Sequence, residues 1–245
     1  MSKYDLPLRS PILNAAGSLG FAPDPRGPVD LSRLGAFFTN PVSLGARTPA
    51  HGRRYLSFPG GFLLHTGYPN PGLRAVIRRH AARWGSASLP VVVHLLPQQA
   101  EDLPRMLRWL EEVEGVAGYE LGLPPDLDAA GAAGFVRLAV GERPVIVRLP
   151  LERAADLAVA VAQAGAAAVS LAPMRGALPS PEGLLHGRLY GPGLLPLALE
   201  AVHAVAARGI TVIGSGGLYR PEDIDAMLSA GAAAVQLEAV FWRGK

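Results

Sequence analysis

A single (β/α)8 barrel spanning residues 1–245 is the fold class this sequence predicts, and three observations predict it. The chain has 245 residues, the size of one such barrel. Short apolar runs rich in Val, Ile and Ala alternate with alanine-rich stretches of helical length, the pattern of parallel strands with crossover helices. The stretch Ile210 to Phe241 reads as strand, glycine turn, helix, strand, which is one complete unit of that fold. A doubly wound open sheet is the alternative that the same alternation allows.

The elements follow in order. Ile12 to Ala16 is a first strand, stopped at Gly17, and Ala36 to Thr39 is a second. A long Pro- and Gly-rich excursion, Pro41 to Gly72, comes next and reads as an irregular loop of the kind that carries function. Leu73 to Trp84 is helical, Val91 to Leu96 a third strand and Glu101 to Val113 its helix. Ala117 to Leu121, Val145 to Leu149 and Ala167 to Leu171 are strands four to six, with helices over Asp128 to Ala139 and Arg153 to Gln163. A second irregular loop, Ala172 to Pro192, precedes a helix over Leu195 to Ala207. Ile210 to Ile213 and Ala234 to Leu237 are strands seven and eight, and the helix between them opens with Pro221, Glu222 and Asp223 after Arg220. The sequence ends at Lys245, so the eighth helix is expected to be short or missing, its place left bare or covered by a partner subunit.

Composition narrows the function. Hydrophobic residues make up 49% and charged residues 18%, enough for a large core and too little charge for long disordered tracts. The formal net charge is +3 without a dense basic cluster, so no nucleic-acid partner is expected. There are no cysteines, which removes disulfides and thiolate metal sites, and no metal site is expected. The N-terminus lacks an apolar signal-like region and no apolar run reaches membrane-spanning length, so a cytoplasmic protein without a membrane partner is the expectation. Lysine occurs only at Lys3 and Lys245, which leaves Schiff-base chemistry no nucleophile inside the barrel.

Candidate site residues come from the C-terminal ends of the strands, where barrel active sites form. Gly214-Ser215-Gly216-Gly217 ends strand seven at a helix, and bare N–H groups in such a turn hold phosphate. Arg148 on strand five points into the barrel and needs an anion, either a ligand or Glu120. His65 and His94 lie near the mouth, Arg188 and Tyr190 in the second loop, Tyr68 in the first.

Several of these segments, in this order, resemble the dihydroorotate dehydrogenase family: Ser10-Pro11-Ile12-Leu13-Asn14-Ala15-Ala16-Gly17, Thr39-Asn40-Pro41-Val42-Ser43-Leu44, Pro59 to Gly72 with its ending Gly67-Tyr68-Pro69-Asn70-Pro71-Gly72, Gly187 to Pro192, and Gly214 to Gly217. The resemblance runs nearly end to end. It implies a cytosolic FMN oxidoreductase of pyrimidine biosynthesis that acts on a small molecule and forms a homo-oligomer, such as a dimer. It implies that Ala16, Gly17, Asn40, Arg148, Gly191, Gly216 and Gly217 contact FMN, and that His65, Gly67 and Tyr68 contact substrate. Asn40 and Arg148 stand where the family has lysines, Glu120 and His65 where it has asparagines, and Glu238 where it has a glycine. The family's catalytic base falls on Leu123, which accepts no proton. That loss leaves an alternative: a catalytically degenerate relative that binds a phosphorylated ligand or serves as an assembly subunit.

Overall fold

The computed structural model describes residues 5–27 and 29–242. Eight parallel strands form one sheet that curls into a near-closed barrel: β1 (Ile12–Asn14), β2 (Phe37–Phe38), β5 (Val91–Leu95), β6 (Val116–Gly122), β7 (Val145–Pro150), β8 (Ala168–Ala172), β11 (Val212–Gly214) and β12 (Ala234–Leu237), in the order β1-β12-β11-β8-β7-β6-β5-β2. Six α-helices pack outside: α1 (Leu73–Gly85), α2 (Asp102–Glu111), α3 (Ala129–Ala139), α4 (Ala154–Gln163), α5 (Leu195–Ala206) and α6 (Pro221–Ser229).

Strand periodicity sorts the core. Side chains alternate faces along a strand. The outward set, including Val91, Val93, Val147, Leu149, Val169 and Val235, packs under the helices with Leu103, Met106, Val136 and Val202. The inward set starts with Leu13, Phe38, Val92, Ile146, Ala168, Ile213 and Ala234, a buried apolar plug. Two residues further along, the same inward face turns polar: His94, Glu120, Arg148, Ser170 and Gln236. The barrel thus has an apolar floor and a polar upper layer.

β1 and β2 close the barrel without a regular ladder. Gly35 N–H donates to Ile12 O at 2.8 Å. Higher up, the buried Asn14 side chain serves in place of a backbone strand, accepting from Phe38 N–H at 2.9 Å and donating to Phe38 O at 2.7 Å.

Two expectations are corrected. The two Pro- and Gly-rich segments are not irregular throughout, for each holds a hairpin. They form β3 (Tyr55–Phe58), β4 (Gly61–Leu64), β9 (Arg175–Ser180) and β10 (Gly183–Tyr190), an antiparallel sheet of order β3-β4-β10-β9. Pro59-Gly60, with Gly60 at φ 88°, makes a tight turn between β3 and β4 of the kind in which proline precedes a left-handed glycine. Leu63 pairs with Leu189, so the two segments join each other. Pro179 is accommodated because β9 is an edge strand. Among the described residues of the first connection, between β1 and β2, the helical element is a 3-10 turn, Leu31–Arg33. After β12 there is a 3-10 turn, Ala239–Trp242, where an eighth helix would begin. Among the described residues no helix is long and apolar enough to cross a membrane.

Candidate active site

A cleft of about 420 Å³ opens at the C-terminal ends of the barrel strands. His94 and Arg148 of the polar layer reach its floor, with the rest of that layer beneath, and its walls come from the following loops and the small sheet. Arg47, Arg148, Arg153, Arg175 and Arg188 line it against the acids Asp126, Glu152 and Glu238, an arrangement that draws small anions.

Glu120 is the hub of the floor. Its Oε1 accepts from Ser170 Oγ at 2.6 Å and Gln236 Nε2 at 2.8 Å, and its Oε2 lies 2.5 Å from His94 Nδ1. Arg148 Nη1 is 3.7 Å from the same Oε2, and its Nη2 is 3.7 Å from Glu238 Oε2. Burial works to raise the Glu120 carboxyl, but His94, Arg148 and Ser170 outweigh it and bring it down to about 2. Burial lowers His94 more than Glu120 raises it, so its imidazole is neutral at neutral pH. Glu238 has fewer partners: Tyr190 Oη donates to it at 3.1 Å, and burial pushes its carboxyl up despite Arg148. One arginine stands between a fully buried carboxylate, Glu120, and a partly buried one, Glu238, and the less well partnered acid is the one whose carboxyl is pushed up.

The predicted site residues separate into three groups. Ala16, Tyr68, Arg148 and Leu123 line the main cleft. Gly191, Gly216 and Gly217 line an adjoining cavity of about 20 Å³, with Ser215, Gln236 and Glu238. Gly217, at φ 76°, must be glycine, because a Cβ there would come within 2.3 Å of Leu195 N. The turn therefore seats directly on the first turn of α5, whose dipole favours an anion at this end. Gly17, Asn40, His65 and Gly67 line neither space. Asn40 Oδ1 accepts from Gly20 N–H at 3.1 Å, which ties down the loop after β1. His65 is exposed just past β4, its backbone N–H bonded to Arg54 O. Gly67 turns the chain at φ 75° and its carbonyl accepts from Arg47 Nε at 3.2 Å.

Sequence reading missed Ser170 and Gln236, although a signal was there. In each of Val91–His94, Val145–Arg148, Ala168–Ser170 and Ala234–Gln236, a polar residue interrupts an apolar run on the inward face.

No family model matches the chain. It is 32% identical, over 95% of its length and 84% of the relative's, to the catalytic subunit of dihydroorotate dehydrogenase B (NAD(+)) of Pelobacter propionicus. The proteins of the same description from Desulforudis audaxviator and Bacillus thuringiensis are each 31% identical, over 94% of this chain and 82% of theirs. The fold is similar to that of dihydroorotate dehydrogenase from Eimeria tenella, solved in complex with ferulenol, with a TM-score of 0.76 over 95% of this chain and 76% of that one at 14% identity.

Proposed function

The chain belongs to the dihydroorotate dehydrogenase family, and from that premise we propose that it is an FMN-dependent oxidoreductase acting on a small anionic substrate, dihydroorotate being the first to test. The observation that carries the reading is the sharing of one barrel face by an arginine-rich cleft and a glycine turn on a helix N-terminus. The donor set suits the cofactor. Arg148 offers a fixed positive charge to the electron-rich edge of a flavin, and the Gly216-Gly217 turn with α5 offers N–H groups and a dipole to its phosphate. The phosphate end requires Glu238 to carry its proton or turn away, and burial already pushes that carboxyl up.

FMN, when bound, supplies the two-electron chemistry. The residues of the chain do the rest. Arg148, held by Glu120, keeps a positive charge beneath the cleft. Tyr68, bonded through its hydroxyl to Arg188 Nε at 3.2 Å, and Arg47 present donors to an anionic substrate from the side of the small sheet. We extend the proposal to a cytoplasmic homo-oligomer, which cell fractionation and sedimentation analysis check. The central test is an absorbance spectrum of the purified protein after FMN addition, followed by anaerobic mixing with dihydroorotate. Flavin bands that bleach on mixing are the expected result; a protein that takes up no FMN sinks the reading.

A further inference from the structure

The family's proton acceptor falls on Leu123, so a proton acceptor has to come from elsewhere on the cleft wall. His94 stands there, beside the residue that precedes Leu123. It is 3% exposed on β5, with Nδ1 2.5 Å from Glu120 Oε2. Glu120 is itself fixed by Ser170 and Gln236. A carboxylate against Nδ1 keeps the ring proton on that nitrogen and leaves Nε2 as a lone-pair acceptor. Nε2 lies next to Gly122, where a Cβ would come within 2.7 Å of it and 2.6 Å of Leu96 Cδ2. His94, Gly122 and Leu123 all line the cleft, so glycine at 122 is a window through which Nε2 meets the cavity. A side chain at 122 would close it.

We propose that His94 is the catalytic proton acceptor of this enzyme and that Glu120 is its positioning residue. The inference rests on the flavin oxidoreductase reading above. In the oxidation of dihydroorotate, the C–H bond beside the ring carbonyl breaks. Its proton passes to His94 Nε2, and its electron pair becomes the new C=C bond. The neighbouring ring carbon would give up a hydride, and so two electrons, for which bound FMN would be the acceptor. His94 becomes an imidazolium whose Nδ1–H still faces Glu120, and returns its proton to water in the cleft. Glu120 faces the ring from β6, Arg148 from β7 and Arg188 from β10. Both arginines and burial oppose a resting positive charge on His94, so the ring waits in the neutral form that a base requires.

The test compares the holoprotein with His94→Gln, a neutral amide of similar reach that accepts no proton at neutral pH. Flavin absorbance and melting temperature are expected to persist in the variant. Flavin reduction by dihydroorotate is expected to slow by about 100-fold or more, the usual worth of a general base. In the unaltered protein this rate should rise with pH through an imidazole pKa below 6.5, and the variant should lose that limb. A second readout needs no turnover. In ¹⁵N-histidine-labelled protein, the His94 signals, identified by their loss in the variant, should show a neutral ring with its proton on Nδ1. Adding orotate should shift the Nε2 signal. A His94→Gln protein that reduces its flavin at the original rate with the same pH limb overturns the role of His94 and leaves the FMN reading standing. Failure of the unaltered protein to take up flavin sinks the FMN reading first. If His94→Gln does not fold, His94→Asn takes its place, and an Nε2 signal indifferent to orotate overturns the proposal on its own.

Discussion

Arg148 is one partly buried cation between a fully buried carboxylate, Glu120, and a partly buried one, Glu238, and their unequal partners set opposite pH behaviour. Glu120 is depressed from 4.5 to about 2, so its contribution to stability is complete above 4.5 and lost as pH falls toward about 2. Glu238 is raised from 4.5, so the stability tied to its neutral form is complete below 4.5 and lost as pH rises through the higher folded value. Denaturant titrations of Glu238→Gln should therefore show a flatter stability profile above pH 4.5 than the unaltered chain. The same substitution removes a charge beside the glycine turn, and FMN titration should show binding tighter by about tenfold at pH 8, the ratio that 1.4 kcal/mol gives. Glu120→Ala strips the hub and leaves Arg148 undercompensated, which should cost about 3 to 5 kcal/mol in chemical denaturation. At this scale Glu120 and Arg148 were legible, because charge inside an apolar strand must be answered. Ser170 and Gln236 were not, because a small or neutral polar residue in an apolar run creates no such demand until the inward face is followed strand by strand.

The barrel strands and their helices were legible as elements, since their apolar runs and caps are local signals. Asp128, for example, caps α3 by accepting from Gly131 N–H at 2.7 Å. The four-stranded sheet was not legible. Its Pro and Gly residues mimic loop composition, and its central pairing, β4 with β10, joins residues as far apart as Leu63 and Leu189. The barrel seam is equally non-local and rests on Asn14. Asn14→Ala would leave the buried N–H and C=O of Phe38 without the amide that now meets them. At about 1 to 3 kcal/mol for each of these two buried groups left unmet, the loss should be about 2 to 6 kcal/mol. Denaturant melts give the total, and faster hydrogen exchange at the Phe38 amide would locate it at the seam. Asn14→Asp keeps the acceptor but sets a second oxygen against Phe38 O in a fully buried place, and should also be destabilised. Equal exchange at Phe38 in all three proteins would show that the seam is held elsewhere.

Across the whole molecule, the barrel holds the polar floor while a second sheet brings Tyr68 and Arg188 to the cleft. Arg188 binds the two together, with Nη1 donating to Pro173 O at 2.8 Å just past β8 and Nε to Tyr68. The small sheet has its own ladder, separate from that of the barrel, so it can be damaged while the barrel stands. Gly187 is the place to do it. A Cβ there would come within 2.6 Å of Leu63 Cδ2 and 2.7 Å of Leu64 O, directly in the β4–β10 pairing. A flexible leucine tip can shift, but a backbone carbonyl in a ladder cannot without breaking its bonds. Gly187→Val should therefore displace Tyr68 and Arg188 and raise KM for dihydroorotate by about tenfold, the loss of about 1.4 kcal/mol of substrate binding. The barrel's main melting transition and its flavin absorbance should stay near their original values. A melting temperature that collapses in this variant would mean that the two sheets fold as one cooperative unit. An unchanged KM would mean that substrate is held by the barrel floor alone, and Tyr68 would then have no part in binding it.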